Sequence, residues 1–365
     1  MKRMIYHIPY YVDKDRHSGS HIRPIKMLNA FKNIGYDVDI IMGYAAQREE
    51  AIDKIKNNIL NGVIYDFCYS ESSTMPTLLT EKNHIPTHPF LDFGFFRFLK
   101  NHGVKIGLFY RDCYWLFEEG TKGVSNFKKK VSNYFYRYDL KKYSKLLDVF
   151  YLPTTLMKDY IPMKFNGKYE QLPPGIDKSQ QVNKNTVDYN TNYIKIFYVG
   201  GIGPMYNMDL LFQAVSELEN IKLTVCCREN EWISEKPRLE KYLNKNIEII
   251  HKSGLEFKDD IESSHIASAY FEQSEYRRFA MSVKLFEYLT YNKPVLSVTN
   301  TAVGEFVNEY NIGWNIPYNK ISLKNFLIEL RDNKNLIKEK ANNIKYALEE
   351  NTWEARARKV AKDLS

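Results

Sequence analysis

Short, continuously apolar runs alternate with helical segments along the chain, and this pattern constrains the fold more than any other feature. In the first half "RMIYHIPYY", "DVDIIMG", "GVIYDFCYS", "VKIGLFYRD" and "DVFYLPT" read as strands. They lack the period-two alternation of a half-exposed sheet, as expected of strands covered on both faces. Between them "RPIKMLNAFKNIG" and "FLDFGFFRFLKNHG" read as helices, the first ended by Gly35. Buried strands joined by crossover helices predict a parallel, doubly wound α/β domain.

The alternation then starts again. Residues 178–192, "KSQQVNKNTVDYNTN", are polar and nearly free of large apolar groups, so they read as a linker. Beyond them "IKIFYVG", "IKLTVCCR", "KNIEIIH", "HIASAYF", "KPVLSV" and "GWNI" read as strands. "MDLLFQAVSELEN" and the segment from Ser282 read as helices among them. A chain of 365 residues suits two domains with a core each. The expected division is a domain over residues 1–177, the linker, a second domain over 193–350 and a final helix over 351–365. The predicted fold is thus α/β, with two Rossmann-like domains facing each other across a cleft. Ligands would sit at the carboxyl ends of both sheets.

Composition excludes several classes. A hydrophobic fraction of 44% excludes a disordered chain. Cys68, Cys113, Cys226 and Cys227 have neither metal-ligand nor disulfide spacing and read as reduced core residues of a cytosolic protein. "MKRMIYHIPYYV" is too short an apolar stretch for a signal peptide, and no run approaches the roughly 18 apolar residues of a membrane span. The net charge of +8 is local. Between Lys122 and Lys145 eight Lys and Arg stand against one acid, Asp139, leaving the rest nearly neutral. That argues against a general nucleic-acid-binding surface.

Two stretches carry candidate chemistry in the second half. "FYVGGIGPMYNMDLLFQAV" ends a strand in Gly200, Gly201, Ile202 and Gly203 before a helix. Such glycines let backbone N–H groups approach an anion, or simply make a tight turn. In "EYRRFAMSVKLFEY", Arg277, Arg278 and Lys284 surround Ser282, the expected N-cap. Cations at a helix N-terminus oppose its dipole unless an anion such as a diphosphate lies between them. Glu287, one turn in, could accept hydrogen bonds from the hydroxyls of a ribose. The alternative is an ordinary ion pair of Lys284 with Glu287 on the helix surface.

These segments resemble the nucleotide-sugar site of GT-B glycosyltransferases, particularly the family 4-like group. The resemblance rests on "SVKLFEYLTYNKPVL", "GEFVNEYNIGWNI", the glycine-turn segment, "LPPGID" at residues 172–177 and the closing "NTWEARARKVAKDL". It implies that Glu287 holds the donor ribose and that Lys284 lies near the diphosphate. It further implies that Ser282, Gly201 and Gly203 border the donor, and that Gly19 and Ser20 form a loop approaching its phosphate. The chain departs from the family pattern at three positions. Phe279 stands where an earlier glutamate is usual, and Gly201 and Tyr206 stand where diphosphate cations are usual. Arg277, Arg278 or Arg228 are the candidate substitutes.

The first half is expected to bind the acceptor. The loop "DRHSGSHIRP" offers His17 and His21 as acid/base groups, acceptor contacts or plain surface residues. Asp112, following Arg111 just past a strand, reads as a base for an inverting transfer or as a cap. Asp37 and Asp39 open a strand and do not read as a metal pair; no metal or cofactor is expected beyond the nucleotide diphosphate sugar itself. "NFKKKVSNYFYRYDLKKYSKLL" interleaves Lys128, Lys129, Lys130, Arg137, Lys141 and Lys142 with aromatics. Residues 122–146 so patterned suit nucleic acid, a membrane surface or a solvated helix face, and the lipid-linked acceptor that the resemblance implies favours the membrane.

With the resemblance, these features predict a metal-independent hexosyltransferase acting on a glycan or lipid-linked glycan hydroxyl. The resemblance alone implies its setting, surface-polysaccharide assembly in bacteria, in the cytoplasm or peripherally on the inner face of the membrane. A nucleotide-sugar epimerase or hydrolase of the same fold, or a non-catalytic partner subunit, are the rival readings.

Overall fold

The computed structural model describes residues 2–13, 19–118, 123–177 and 187–365. The five apolar runs of the first half form parallel strands β1 (Arg3–Ile8), β2 (Asp37–Met42), β3 (Phe67–Glu71), β4 (Lys105–Phe109) and β5 (Val149–Leu152), and a polar, partly exposed edge strand that the sequence did not announce, β6 (Lys168–Gln171), completes the sheet. Their order is β2-β1-β3-β4-β5-β6, so the sheet reverses direction between β1 and β3. Every residue of β3 is buried, the polar Ser70 and Glu71 at its end included. Tyrosine fills much of this core: Tyr6 stacks on Tyr69 at 5.5 Å and Phe31 leans on Tyr69 at 5.4 Å.

The helix after β1 spans Gly19–Asn33, starting earlier than the predicted Arg23 and holding Pro24 inside. Pro24 has no N–H, so the Ser20 carbonyl lacks its helical donor. The Tyr10 hydroxyl donates to it instead, at 3.0 Å. Helix Ala45–Leu60 was not anticipated, because most of its residues are charged or amide and few apolar positions mark its face. Helices Leu91–Asn101 and Asn126–Leu146 follow, and the final helix Trp353–Leu364 packs on Gly19–Asn33.

The second set of runs forms β7 (Ile194–Val199), β8 (Ile221–Cys226), β9 (Ile247–Ile250), β10 (Ile266–Ala269), β11 (Val295–Val298) and β12 (Gly313–Ile316). All pair in parallel, in the order β12-β11-β10-β7-β8-β9. Counted from β7 this is the Rossmann order, with its reversal between β7 and β10.

The chain divides into Met1–Gly175 with Trp353–Ser365, and Ile176–Thr352. The second unit begins before the expected linker. Tyr189 packs against its core and meets the His265 ring at 5.9 Å, so residues 187–192 belong to it. Residues 178–186 of that linker lie outside the described residues. The ends of the second unit are tied by the Ile176 N–H donating to the Asn351 carbonyl at 2.8 Å. All four cysteines are buried and free. Among the described residues no helix is long and apolar enough to cross a membrane.

Candidate functional site

In the second unit the reversal between β7 and β10 is where an open α/β sheet offers a crevice. On the β7 side the chain turns through Gly200–Gly203, and Gly203 takes φ +128°, a region that favours glycine. The Tyr198 hydroxyl donates to the Gly201 carbonyl, and the Tyr206 N–H donates to Gly203 at 2.8 Å. The surroundings are acidic. The Ile202 N–H donates to Glu231 Oε2 at 3.3 Å, and Glu235 Oε1 lies 3.2 Å from where a Cβ on Gly203 would stand. Both acids project from helix Glu229–Leu239. Arg228 is exposed and pairs with Glu231 at 2.5 Å. An internal carboxylate thus occupies a backbone donor that the sequence offered to a phosphate.

The β10 and β11 side is different. Just past these strands two helices begin, Val283–Thr290 with Ser282 at its N-cap and Ala302–Glu309 with Thr301 at its N-cap. Ser282, Thr301 and Arg277 line one concavity with Ala269 and Val298, the last residues of β10 and β11. Thr301 Oγ1 accepts from the Gly304 N–H at 3.0 Å and donates to the Val298 carbonyl at 2.7 Å. The Ser282 side chain makes no capping hydrogen bond. Arg277 donates to the Met205 carbonyl at 2.6 Å and lies 4.2 Å over the Tyr206 ring, which fixes its guanidinium beside the concavity. Two helix N-termini and one arginine favour an anion here, with Glu272 on the same lining opposing them.

The remaining predicted donor residues stand around it. Lys284 and Glu287 pair with each other at 3.1 Å. Arg278 is exposed on the short helix Glu275–Phe279. Phe279 is buried, its ring 5.3 Å from Tyr276. Thr301 is the residue that sequence reading missed here; a threonine before "AVGE" was the available N-cap signal.

In the first unit the reversal between β1 and β3 holds Glu71, fully buried at the end of β3. The hydroxyls of Tyr6 and Tyr69 donate to its Oε1 at 3.2 and 3.1 Å. Arg23 stands 3.3 Å from that oxygen, and Arg111 donates to Oε2 at 3.0 Å. Arg111 also donates to the Gly19 carbonyl and the Tyr10 hydroxyl, both at 3.1 Å, so it holds the glycine-bearing turn against β3 and β4. His21 Nδ1 accepts from the Asp13 N–H at 2.9 Å, and Asp112 accepts from the Tyr114 N–H at 3.0 Å, capping a short turn. His17 lies outside the described residues. Sequence reading missed Arg23, Glu71 and Tyr10, since one acid ending an apolar strand carries no motif.

Beside this network Ser70 Oγ lies 2.8 Å from His7 Nδ1, and His7 Nε2 lies 2.9 Å from Asp92. The spacing imitates a nucleophilic triad, but none of the three side chains reaches solvent. Burial lowers the His7 pKa, so the ring is neutral, with Nε2–H donating to Asp92 and Nδ1 accepting from Ser70. Burial alone would raise the Asp92 carboxyl. The His7 hydrogen bond and the charge of Arg48, 2.9 Å away, outweigh it and hold Asp92 at about 2. The group is a structural pin between β1, β3 and helix Leu91–Asn101.

Asp37 pairs with Arg3 at 2.6 Å and Asp39 accepts from the Tyr65 hydroxyl at 2.5 Å, so both are engaged within the sheet edge. Among the described residues no group of three or more His, Cys, Asp or Glu is arranged to hold a metal ion. The basic segment forms helix Asn126–Leu146, where Lys128, Lys130, Arg137 and Lys141 are exposed and Lys129 and Lys142 half-buried.

Residues 179–351, most of the second unit, match the family described as "Glycosyl transferases group 1". No curated protein matches the chain in sequence. Solved structures match it over nearly their whole length. Sucrose-phosphate synthase from Thermosynechococcus elongatus aligns with a TM-score of 0.62 at 11% identity, covering 99% of this chain and 98% of that one. Anabaena Alr3699/HepE, in complex with UDP-glucose, aligns at 0.61 and 10% identity, covering 100% and 99%. WaaG, a glycosyltransferase involved in lipopolysaccharide biosynthesis, aligns at 0.58 and 13% identity, covering 99% of both. The likeness is one of fold: two Rossmann-like units, as in GT-B glycosyltransferases.

Proposed function

We propose that the chain is a glycosyltransferase that moves a hexose-type sugar from a nucleotide diphosphate sugar to a hydroxyl of a glycan or lipid-linked glycan. The observation that carries this reading is the meeting of the Ser282 and Thr301 helix N-termini with Arg277 at the carboxyl edge of the second sheet. It lies inside the segment that matches glycosyl transferases group 1. In this reading the diphosphate sits against those N-termini, with Lys284 turning toward it. Glu287, released from Lys284, accepts from the ribose hydroxyls. The leaving diphosphate is stabilised by protein dipoles and cations, without a metal ion. Gly19, His21 and Asp112, at the carboxyl end of the first sheet, are proposed acceptor-side contacts. The proposed setting is surface-polysaccharide assembly at the inner face of the cell membrane.

One observation favours the non-catalytic rival. Glu231 and Glu235 border the glycine turn where this fold could present cations. Calorimetry with a panel of nucleotide diphosphate sugars tests both. The wild type is expected to bind at least one of them. Glu287→Ala should weaken that binding about 10-fold or more, the loss of charge-assisted hydrogen bonds. Unchanged affinity in the variant removes Glu287 from the site, and no binding by the wild type rejects the enzyme reading.

A further inference from the structure

The helix Asn126–Leu146 is apolar on two sides. Tyr136, Leu140, Tyr143 and Leu146 are buried against the first unit. Facing away from them, Val124 just before the helix and Phe127, Val131 and Tyr134 within it are 42%, 76%, 37% and 67% exposed. The spacing of four and three residues keeps Phe127, Val131 and Tyr134 in one stripe along the helix, with Val124 preceding its N-cap. A merely solvated helix face has no use for such a stripe.

The charges around it are of one sign. Lys128 and Lys130 are exposed beside the N-terminal part of the stripe, and Arg137, Lys141 and Lys145 continue the exposed face. The helix's one acid, Asp139, is buried. Helix Leu91–Asn101 runs alongside in the same direction, with Phe93 against the Tyr138 ring at 5.7 Å and Lys100 donating to the Lys145 carbonyl at 2.9 Å. Phe90, one residue before that helix and 78% exposed, therefore lies toward the end that carries Tyr134.

We infer that this face docks on an anionic lipid bilayer. Phe127, Val131 and Tyr134 enter at headgroup depth, and the lysines meet lipid phosphates. A cationic groove for nucleic acid would not need the apolar stripe, and a bilayer of neutral lipid would not need the charge. The inference stands apart from the transfer reading: a membrane-bound chain that transfers nothing satisfies it, and a transferase that never touches lipid contradicts it.

Flotation of the whole chain tests it, using vesicles of phosphatidylcholine alone and of phosphatidylcholine mixed with phosphatidylglycerol. The wild type should float with the mixed vesicles and not with the neutral ones. Phe127→Ser/Val131→Ser/Tyr134→Ser and Lys128→Glu/Lys130→Glu/Lys141→Glu should each reduce binding by about 10-fold or more, with unchanged melting temperatures. If the triple apolar variant melts early, Phe127→Ser alone is compared instead. The inference is overturned if the wild type fails to float with mixed vesicles, floats equally on neutral ones, or floats undiminished without the stripe. It is likewise overturned if the wild type sediments as a dimer that the apolar variant abolishes.

Discussion

Asp139 accepts from the Thr77 N–H at 2.6 Å through Oδ2, while Oδ1 is buried without a hydrogen-bond partner. Burial raises its carboxyl from 3.8 to about 7, against the opposing Thr77 hydrogen bond. Between those values the folded chain holds a proton that the unfolded chain releases. The stability this group contributes is therefore full below about pH 4 and is lost as pH rises through about 7. Asp139→Asn imitates the protonated form and keeps an acceptor for Thr77. Its melting temperature is expected to exceed that of the wild type by a few degrees at pH 8.5, with the gap closing toward pH 5. A constant gap, or none, in a pair of thermal melts would contradict the assignment. The Lys284–Glu287 pair makes a different point at this scale. The sequence left an ion pair and a ligand site open, and the structure shows the ion pair. The two are compatible, because a half-exposed pair of this kind holds its partners by only about 1 kcal/mol and a diphosphate can separate them.

At the scale of elements, what matters is where helices begin. Ser282 was readable as an N-cap from its place before an apolar-periodic run. Thr301 had the same chemistry and a helix of the same length behind it, and was passed over. Gly304, in the first turn of that helix, touches the strand closely: a Cβ there would meet the Val298 carbonyl oxygen at 2.6 Å and Asn315 Oδ1 at 2.9 Å. Gly304→Ala should push Ala302–Glu309 off β11 at a cost of about 1–3 kcal/mol. It should also weaken nucleotide-sugar binding, because the Thr301 cap moves with the helix. Denaturation midpoints together with calorimetry check this; a variant that loses stability but binds normally would detach Thr301 from the site. The acids of Glu229–Leu239 could not be foreseen at all. Which carboxylate reaches the Ile202 N–H depends on how that helix leans on the glycine turn, and no spacing encodes it.

At the scale of the whole molecule, the two runs of alternation were enough to read two parallel sheets. Continuous burial leaves a strong mark in sequence, and all six strands named in the second half are found. Strand order was not readable, although it decides where each sheet reverses and so which loops can hold a ligand. Hence Gly200–Gly203 and Ser282 were recognised from local pattern, while Glu71, Arg23 and Arg111 were not seen as one network: β1, β3, β4 and a helix bring them together from distant parts of the chain. The claim that most needs testing is sugar transfer itself. Purified protein should be incubated with each nucleotide diphosphate sugar, with and without a membrane extract supplying glycan and lipid-linked glycan acceptors, and the nucleotide released should be measured. The account predicts release with at least one donor only when acceptor is present, and its loss in Glu287→Ala. Release without acceptor would instead indicate a hydrolase, conversion of the donor to its epimer without net release an epimerase, and no release with any donor would contradict the account.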